Sequence, residues 1–151
     1  MQKITTFLMF NSGAEEAAKH YASVFKNAKV TSVGRGPDGA AMSVNFEIEG
    51  QPFMAFNGGP HFTFSEGISL FVTCESQAEV DELWEKLPAG GKQKECGWVE
   101  DRWGVSWQII PSALMRLMGD KDPEKAGRVV QAMLKMKKID IAALERAYDG
   151  R

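Results

Sequence analysis

Ser12-Gly13-Ala14-Glu15 has the pattern Ser-x-Ala-Glu, which occurs a second time along the chain at Ser76-Gln77-Ala78-Glu79. Each copy follows an apolar run typical of a strand and precedes a stretch with helical periodicity. In a capping box the serine hydroxyl accepts a hydrogen bond from the amide three residues on, while the glutamate side chain reaches back to the serine amide, and both copies fit this pattern. The repeat therefore predicts two copies of one strand–helix unit, with function in a cleft between the two modules.

The segments around the two copies follow the same order, β-α-β-β-β. In the first half, alternation and turn residues predict a helix at 13–26 and strands at 4–10, 30–35, 41–49 and 52–57. In the second half they predict a strand at 68–74, a helix at 76–87 and shorter strands at 92–98, 99–103 and 105–110. The predicted fold class is α+β, with two βαβββ modules that form curved mixed sheets around a cleft.

The whole chain is expected to form one domain, because 151 residues can bury one sizeable core and are too few for two large independent ones. Paired glycines and a proline at 58–61 interrupt the sheet pattern. This segment is therefore predicted to link modules 1–57 and 62–110.

Residues 111–151 are predicted to form a helical tail. Its helices are expected at 112–118 and 123–137, followed by a last helix that begins after Asp140 as its cap. Because this tail is too apolar for a solvated extension, we expect it to pack on the body or on a second subunit.

Composition and charge exclude several classes of partner. Lys and Arg number 18 against 20 Asp and Glu, so the formal net charge is -2, and the two signs are interspersed. We expect no nucleic-acid partner, since phosphate backbones need a concentrated positive surface. No apolar run approaches the ~20 residues that cross a bilayer, and the start of the sequence has no cleavable apolar segment. We therefore expect a cytoplasmic protein with no membrane partner, in which Cys74 and Cys96 are free thiols.

Several short motifs are those of one known family. In chain order they are Phe7-Leu8-Met9-Phe10, Ala14-Glu15-Glu16-Ala17, Asn57-Gly58-Gly59-Pro60, Ile68-Ser69-Leu70, Gln77-Ala78-Glu79-Val80-Asp81, Cys96-Gly97-Trp98 and Asp101-Arg102-Trp103-Gly104-Val105-Ser106-Trp107-Gln108. On these motifs the chain resembles the PhnB-like members of the glyoxalase/bleomycin-resistance (vicinal oxygen chelate) superfamily over most of its length. The resemblance implies the two-module fold with its cleft, and a homodimer, because members commonly pair modules within or across subunits.

The resemblance also carries a functional description, because members of this family have often been named 3-demethylubiquinone 3-methyltransferases. A methyltransferase that uses S-adenosylmethionine normally needs a glycine-rich turn between a strand and a helix. The candidate here, Gly34-Arg35-Gly36-Pro37-Asp38-Gly39, leads into the strand-like alternation of residues 41–46, which offers no helix N-terminus to an anion. Its Pro-Asp-Gly sequence predicts a hairpin turn, which argues against methyltransferase activity.

A candidate metal site follows from the resemblance as well, because metal-dependent relatives take two ligands, typically His or Glu, from the first and last strands of each module. Carried onto this sequence, the positions fall at Thr6, with an uncertainty of one residue, at Ser69 and at Gln108. The last strand of the first module, residues 52–57, contains no acidic residue. Since neutral hydroxyls and amides are poor ligands for a catalytic divalent ion, no cofactor is predicted, and a divalent metal is the alternative.

The expected ligand site combines polar contacts with apolar walls. Alternation along the last predicted strand places Gln108 on the face opposite Trp107, which we expect to pack in the core. His61 is interpreted either as a general base or hydrogen-bond donor or as an ordinary loop residue. The expected ligand-binding residues are Thr6, Asn57, His61, Ser69 and Gln108 as polar contacts and Phe62, Phe64 and Trp103 as walls.

Three functions remain open at the level of sequence. The cleft binds a small organic ligand, with or without transforming it; it sequesters a compound without a metal, like bleomycin-binding relatives; or it is filled by its own side chains in a dimeric structural or regulatory module. The lack of a convincing acid–base pair argues against assigning a catalytic residue, and the inward polar positions argue against a pure scaffold. We predict a PhnB-like protein that binds a small organic ligand without the usual metal. The alternatives are a metal-dependent lyase, isomerase or dioxygenase of the same superfamily and a non-catalytic dimeric sequestering or regulatory protein.

Overall fold

The computed structural model describes residues 3–151, so Met1 and Gln2 of the predicted first module lie outside the described residues. The chain divides into two compact units, one ending at Phe64 and the other beginning at Ser65. The predicted linker, residues 58–61, therefore falls within the first unit. Within the described residues, no helix is both long and apolar enough to cross a membrane.

The first unit consists of a four-stranded mixed sheet and one helix. In chain order its elements are β1 (Thr6–Phe10), α1 (Ala14–Val24), β2 (Ala28–Arg35), β3 (Ala41–Ile48) and β4 (Gln51–Asn57). The strands lie in the order β1-β4-β3-β2, with β1 and β4 parallel and the other pairs antiparallel. The predicted order of elements is confirmed, with ends shifted by one or two residues.

One side of this sheet packs against α1, which buries Tyr21 and several small apolar residues. The Tyr21 ring lies 5.7 Å from the Phe46 ring, and Phe46 stacks on Phe53 with 5.0 Å between ring centroids. Because side chains alternate along a strand, every second residue of β1, β3 and β4 points to this side. The buried residues of these strands are Leu8, Phe10, Val44, Phe46, Ile48, Phe53 and Ala55. We call the side opposite α1 the first front face.

The glycine-rich stretch between β2 and β3 is a hairpin turn, as predicted. The Gly36 amide donates to Ala40 O at 2.9 Å, and the Gly39 amide donates to Gly36 O at 2.9 Å. The side chain of Asp38 accepts from the Ala40 amide at 3.0 Å. Since the chain continues into a strand, this turn provides no helix N-terminus at which an anionic cofactor would bind.

The predicted capping box at Ser12 is wrong. The helix begins at Ala14, and Gly13 occupies its N-cap position without a side-chain hydrogen bond. The Ala14 amide donates to Oδ1 of Asn57 at 2.9 Å. Because β1 and β4 pair in parallel with Phe10 beside Asn57, the end of β4 lies at the start of the helix, where a distant side chain replaces the local serine.

The second unit contains another four-stranded mixed sheet and four helices. Its elements are β5 (Leu70–Cys74), α2 (Gln77–Lys86), β6 (Lys92–Gln93), β7 (Trp98–Glu100), β8 (Ser106–Pro111), α3 (Ser112–Met118), α4 (Pro123–Met133) and α5 (Ile141–Tyr148). The strands lie in the order β5-β8-β7-β6, with β5 and β8 parallel. The hydroxyl of Ser76 accepts from the Glu79 amide at 3.2 Å, so the second predicted serine cap is confirmed.

Strands β6 and β7 are shorter than predicted, because a tight turn separates them. The Trp98 amide donates to Glu95 O at 3.1 Å, and Cys96 and Gly97 adopt φ values of 58° and 83°. With this positive φ, and because a Cβ on Gly97 would lie 2.9 Å from the backbone oxygen of Ile109, any other residue would be strained at this point of the turn.

The C-terminal helices pack on the sheet of their own unit, which is the first of the two arrangements expected for the tail. A buried cluster joins the helices to β8 and consists of Ile110, Leu114, Leu117, Val129, Ile139 and Leu144. Two backbone hydrogen bonds also join the tail to the turn between β6 and β7. The Cys96 amide donates to Met136 O at 2.9 Å, and the Gly97 amide donates to Lys137 O at 2.8 Å. Helix α4 ends at Met133 and not at the predicted residue 137, because the chain there turns to meet the β6–β7 hairpin.

Candidate functional site

The second sheet has one side against α2 and a second front face on the opposite side. Trp107 is 2% exposed and lies on the side against α2. Leu70 on β5 and Val99 on β7 pair with Trp107 and lie on the same side. The next position, Gln108, pairs with Phe71 on β5 and with Trp98 on β7. Since directly paired residues share a face, the second front face carries a row of three side chains in which an amide lies between two aromatic rings.

The structure brings two of the predicted site residues together on this face. Nε2 of Gln108 donates to Oγ of Ser69 at 3.0 Å, and both residues are partly buried. Ser69 directly precedes β5, and parallel pairing of β5 with β8 aligns the two positions. The prediction that Gln108 lies opposite Trp107 is confirmed.

A group of charged residues borders the row of aromatic and amide side chains. Nζ of Lys94 lies 3.1 Å from a carboxylate oxygen of Glu66 and 3.6 Å from one of Glu100, which is two positions from Trp98 on the same face of β7. The hydrogen bond to Glu66, followed by the charge of Glu100, raises the pKa of Lys94. The ammonium group is therefore held by two carboxylates, and this end of the face is not positively charged.

The helical tail closes the other end of the second front face. Ile110 is two residues beyond Gln108 and so lies on the same side of β8. It is only 4% exposed, because it packs in the cluster with Leu114, Val129 and other residues of the tail. The tail thus covers Ile110, while Thr73, its partner on β5, stays exposed.

Thr6 falls on the other side of its sheet. Thr6 pairs with Phe53 and shares the face of Leu8, which packs toward α1. Its neighbour Phe7 pairs with Met54 on the first front face, where their side chains are 48% and 42% exposed. Within the stated uncertainty of one residue, the first-strand position on the front face is therefore Phe7.

Asn57 is bound at both ends of its amide by the first unit. Its Oδ1 accepts from the Ala14 amide, and its Nδ2 donates to Ala41 O at 3.0 Å. The side chain links the start of α1, the start of β3 and the end of β4. The structure therefore gives Asn57 a role in the fold, and its predicted ligand contact stays a prediction.

The predicted residues near the end of the first unit lie in an ordered loop. The Phe62 amide donates to Oδ1 of Asn11 at 2.9 Å, and the Phe64 ring meets the Phe10 ring edge-on at 5.2 Å. His61 lies exposed in the turn before them. These contacts fold residues 58–64 back onto the end of β1, where Phe62 remains 43% exposed.

The loop between β7 and β8 is organised by Asp101, a role that the sequence analysis missed. Its carboxylate accepts from the amides of Trp103 and Val105 and from Nε1 of Trp107, each at 3.0 Å, and the residue is 1% exposed. The strand predicted at 99–103 therefore ends at Glu100, and Asp101 is buried in the loop that follows. Trp103 also lies in this loop and not in the row with Gln108. The guanidinium carbon of Arg102 lies over the Trp103 ring, 4.5 Å from the ring centroid.

The positions that the family resemblance implies for metal ligands carry neutral side chains in each of the two units. In the part of the chain that the structure describes, no three His, Cys, Asp or Glu side chains group so that they could hold one. The positions implied by the family resemblance carry a hydroxyl on Ser69, an amide on Gln108 and the ring of Phe7. A hydroxyl and an amide that bond to each other are weak ligands compared with imidazole, carboxylate or thiolate.

Several residues of the second front face were missed at the sequence level. Phe71 could have been found, because it alternates with more buried positions on a predicted strand. Lys94, Glu66 and Glu100 could not, since their ion pairs join the loop before β5 to the β6–β7 hairpin, whose true turn the strand pattern concealed.

Comparison with known proteins places the chain in a defined group. Residues 2–110 match the model of the family described as 3-demethylubiquinone-9 3-methyltransferase. A PhnB protein from Bacillus cereus is 36% identical, with a TM-score of 0.69 over 73% of this chain and 99% of that one. The comparison with curated proteins gave no match.

Two more distant solved structures share the fold. A protein from Pseudomonas aeruginosa is 22% identical with a TM-score of 0.62, over 74% of this chain and 98% of that one. A fosfomycin resistance protein from Listeria monocytogenes, solved with Mn(II) and sulfate, is 17% identical with a TM-score of 0.53, over 71% of this chain and 90% of that one. The predicted α+β fold of the glyoxalase/bleomycin-resistance type is thereby confirmed.

Proposed function

Because the chain belongs to the 3-demethylubiquinone-9 3-methyltransferase family, the PhnB-like group of the glyoxalase/bleomycin-resistance superfamily, we propose that it binds a small organic ligand on its second front face without a divalent metal ion. The observation that carries the proposal is the hydrogen-bonded pair Ser69–Gln108 within the row Phe71–Gln108–Trp98. Aromatic side chains around a few oriented polar groups are typical of small-molecule sites.

The neutral polar pair also supports the metal-free part of the proposal. The side chains of Ser69 and Gln108 already form a hydrogen bond with each other. Neither carries a charge that would offset the dehydration of a cation. A ligand bound through hydrogen bonds and ring contacts fits these groups better than a metal ion does.

The methyltransferase activity in the family description finds no support in this fold. The glycine-rich stretch at residues 34–39 closes a hairpin, and both Asp38 and Gly39 are used in that turn. Ligand binding, with or without a reaction, therefore remains the proposed function.

The proposal is tested by thermal denaturation of the metal-stripped protein with a metabolite panel and, separately, with Ni²⁺, Zn²⁺, Mn²⁺ and Co²⁺. A ligand that binds the folded state raises the melting temperature. We expect an organic compound to raise it in the wild type and to raise it less in Gln108→Ala. Gln131→Ala is the matched control, because Gln131 lies exposed on α4. A reproducible rise with a metal alone would contradict the proposal.

We also propose that the chain forms a homodimer, as the family resemblance implies. The exposed apolar side chains Phe7 and Met54 on the first front face support a protein contact there. Sedimentation velocity at micromolar concentration is expected to show a species of twice the monomer mass, and a single species of monomer mass would contradict the proposal.

A further inference from the structure

The hydrogen bond between Ser69 and Gln108 determines which groups remain for a ligand. A hydroxyl has one donor and two acceptor sites, and a primary amide has two donors and one acceptor oxygen. When Nε2 of Gln108 donates to Oγ of Ser69, the hydroxyl hydrogen, the second amide hydrogen and the amide oxygen remain. If the amide were turned by 180°, the hydroxyl would donate to the amide oxygen instead, and both amide N–H groups and the serine oxygen would remain. In either orientation the pair presents at least one donor beside an acceptor.

From this geometry we propose, on the basis of the function proposed above, that the ligand is a neutral planar compound with a donor and an acceptor on one edge, namely a primary amide or a lactam joined to an aromatic ring. Such an edge forms two hydrogen bonds with the Ser69–Gln108 pair at once. The rings of Phe71 and Trp98, on either side of Gln108 in the register, provide the apolar contact for the aromatic part.

The charges near the pair favour a neutral ligand over an anion. Glu66 and Glu100 contribute two carboxylates to the group, against the single ammonium of Lys94. A carboxylate ligand beside the row would be repelled by this excess and would lack the donor that the pair requires. We therefore expect a higher affinity for the amide than for the carboxylate of the same shape.

The ligand class is tested with three probes of similar size: benzamide, N,N-dimethylbenzamide and benzoate. Dissociation constants are measured by NMR titration of the full-length protein, from the shifts of the amide signals of Phe71, Trp98 and Gln108. We expect benzamide to bind about tenfold or more tightly than either other probe, because only benzamide satisfies both the donor and the acceptor.

The variants Gln108→Leu and Ser69→Ala connect this preference to the pair. In each variant we expect the preference for benzamide over N,N-dimethylbenzamide to fall to within about twofold, with the affinity for the dimethyl compound unchanged. Gln131→Leu is the matched control and is expected to keep the full preference. Melting temperatures of all variants verify that they fold.

The possible results separate the two proposals. Equal affinity for the three probes in the wild type overturns the ligand class, while binding at these residues still supports the proposed function. Failure of benzamide to bind also overturns the ligand class, and the metabolite panel then decides the proposed function by itself. Loss of the preference in the Gln131→Leu control overturns the assignment to the Ser69–Gln108 pair.

Discussion

Oδ1 of Asn57 accepts a hydrogen bond from the amide of Ala14 at 2.9 Å, across a separation of 43 residues in the sequence. The cap of the first helix is thus supplied by the last residue of β4. The other end of the same amide holds Ala41 O at 3.0 Å, so that one side chain connects three elements of the first unit. Asn57, which the sequence predicted to contact a ligand, thus stabilises the fold of the first unit.

We predict that Asn57→Ala lowers the free energy of unfolding by ~1–3 kcal/mol, because it removes the cap and the bond to Ala41. Ser12→Ala is the matched control and should change it by less than ~0.5 kcal/mol, since Ser12 is exposed and does not cap α1. Both values are obtained from urea unfolding curves. An equal loss in the two variants would show that Ser12 also caps the helix.

Asp101 offers a second test of a buried polar group. Asp101→Ala leaves the indole N–H of Trp107 and the amides of Trp103 and Val105 without their acceptor, so we expect a loss of at least ~3 kcal/mol in the free energy of unfolding. Asp38→Ala, which removes one exposed turn bond, should lose less than ~1 kcal/mol. Tryptophan fluorescence follows both transitions. A variant of Asp101 as stable as the wild type would refute its role in the loop.

Cys74 gives a prediction about pH. Burial, with smaller effects of Glu79 and Glu75, raises the pKa of the Cys74 thiol from 9.0 to about 12. Below pH 9.0 the thiol is protonated in both states and its contribution to stability is complete. As the pH rises from there toward 12, the unfolded chain ionises first, and this contribution is lost.

We therefore expect the free energy of unfolding to decrease more steeply above pH 9.0 in the wild type than in Cys74→Ala. Denaturant unfolding at several pH values on both sides of that point measures the two slopes. Lysine and tyrosine side chains titrate in the same range, but they are common to both proteins and cancel in the difference. Parallel curves would mean that Cys74 ionises equally easily in the folded state.

The side chain of Gln77 on α2 forms hydrogen bonds with the helical tail. Its Nε2 donates to Ile139 O at 2.9 Å and to Asp81, while its Oε1 accepts from the Ile141 amide at 2.8 Å. We predict that Gln77→Ala increases hydrogen exchange of the amides in α5 by about tenfold or more, because the start of that helix loses its attachment. Gln51→Ala, at an exposed position of the first unit, is the control and should leave α5 unchanged. Unchanged exchange in Gln77→Ala would show that the apolar cluster alone holds the tail.

Sequence reasoning succeeded where a feature depends on near neighbours. The hairpin at Gly36 and Gly39, the cap at Ser76 and the placement of Gln108 opposite Trp107 all follow from turn chemistry or from alternation along one strand. It failed at Ser12, where a local motif was present but a distant side chain took its place. It also failed between Lys92 and Trp98, where a continuous strand pattern hid a turn with positive φ at two residues.

The sequence by itself determined the α+β order of elements, the family and the faces on which Trp107 and Gln108 lie, because periodicity and motifs are properties of short segments. Only the tertiary structure decided that Asn57 caps a distant helix, that Asp101 is buried, that Phe7 and not Thr6 points to the front face, and that Lys94 is held between two carboxylates. Each of these depends on a partner far away in the chain or on the exact register of a strand. A hydrogen bond or ion pair requires two groups within a few ångströms of each other, and that distance is set when the sheet and its connections assemble.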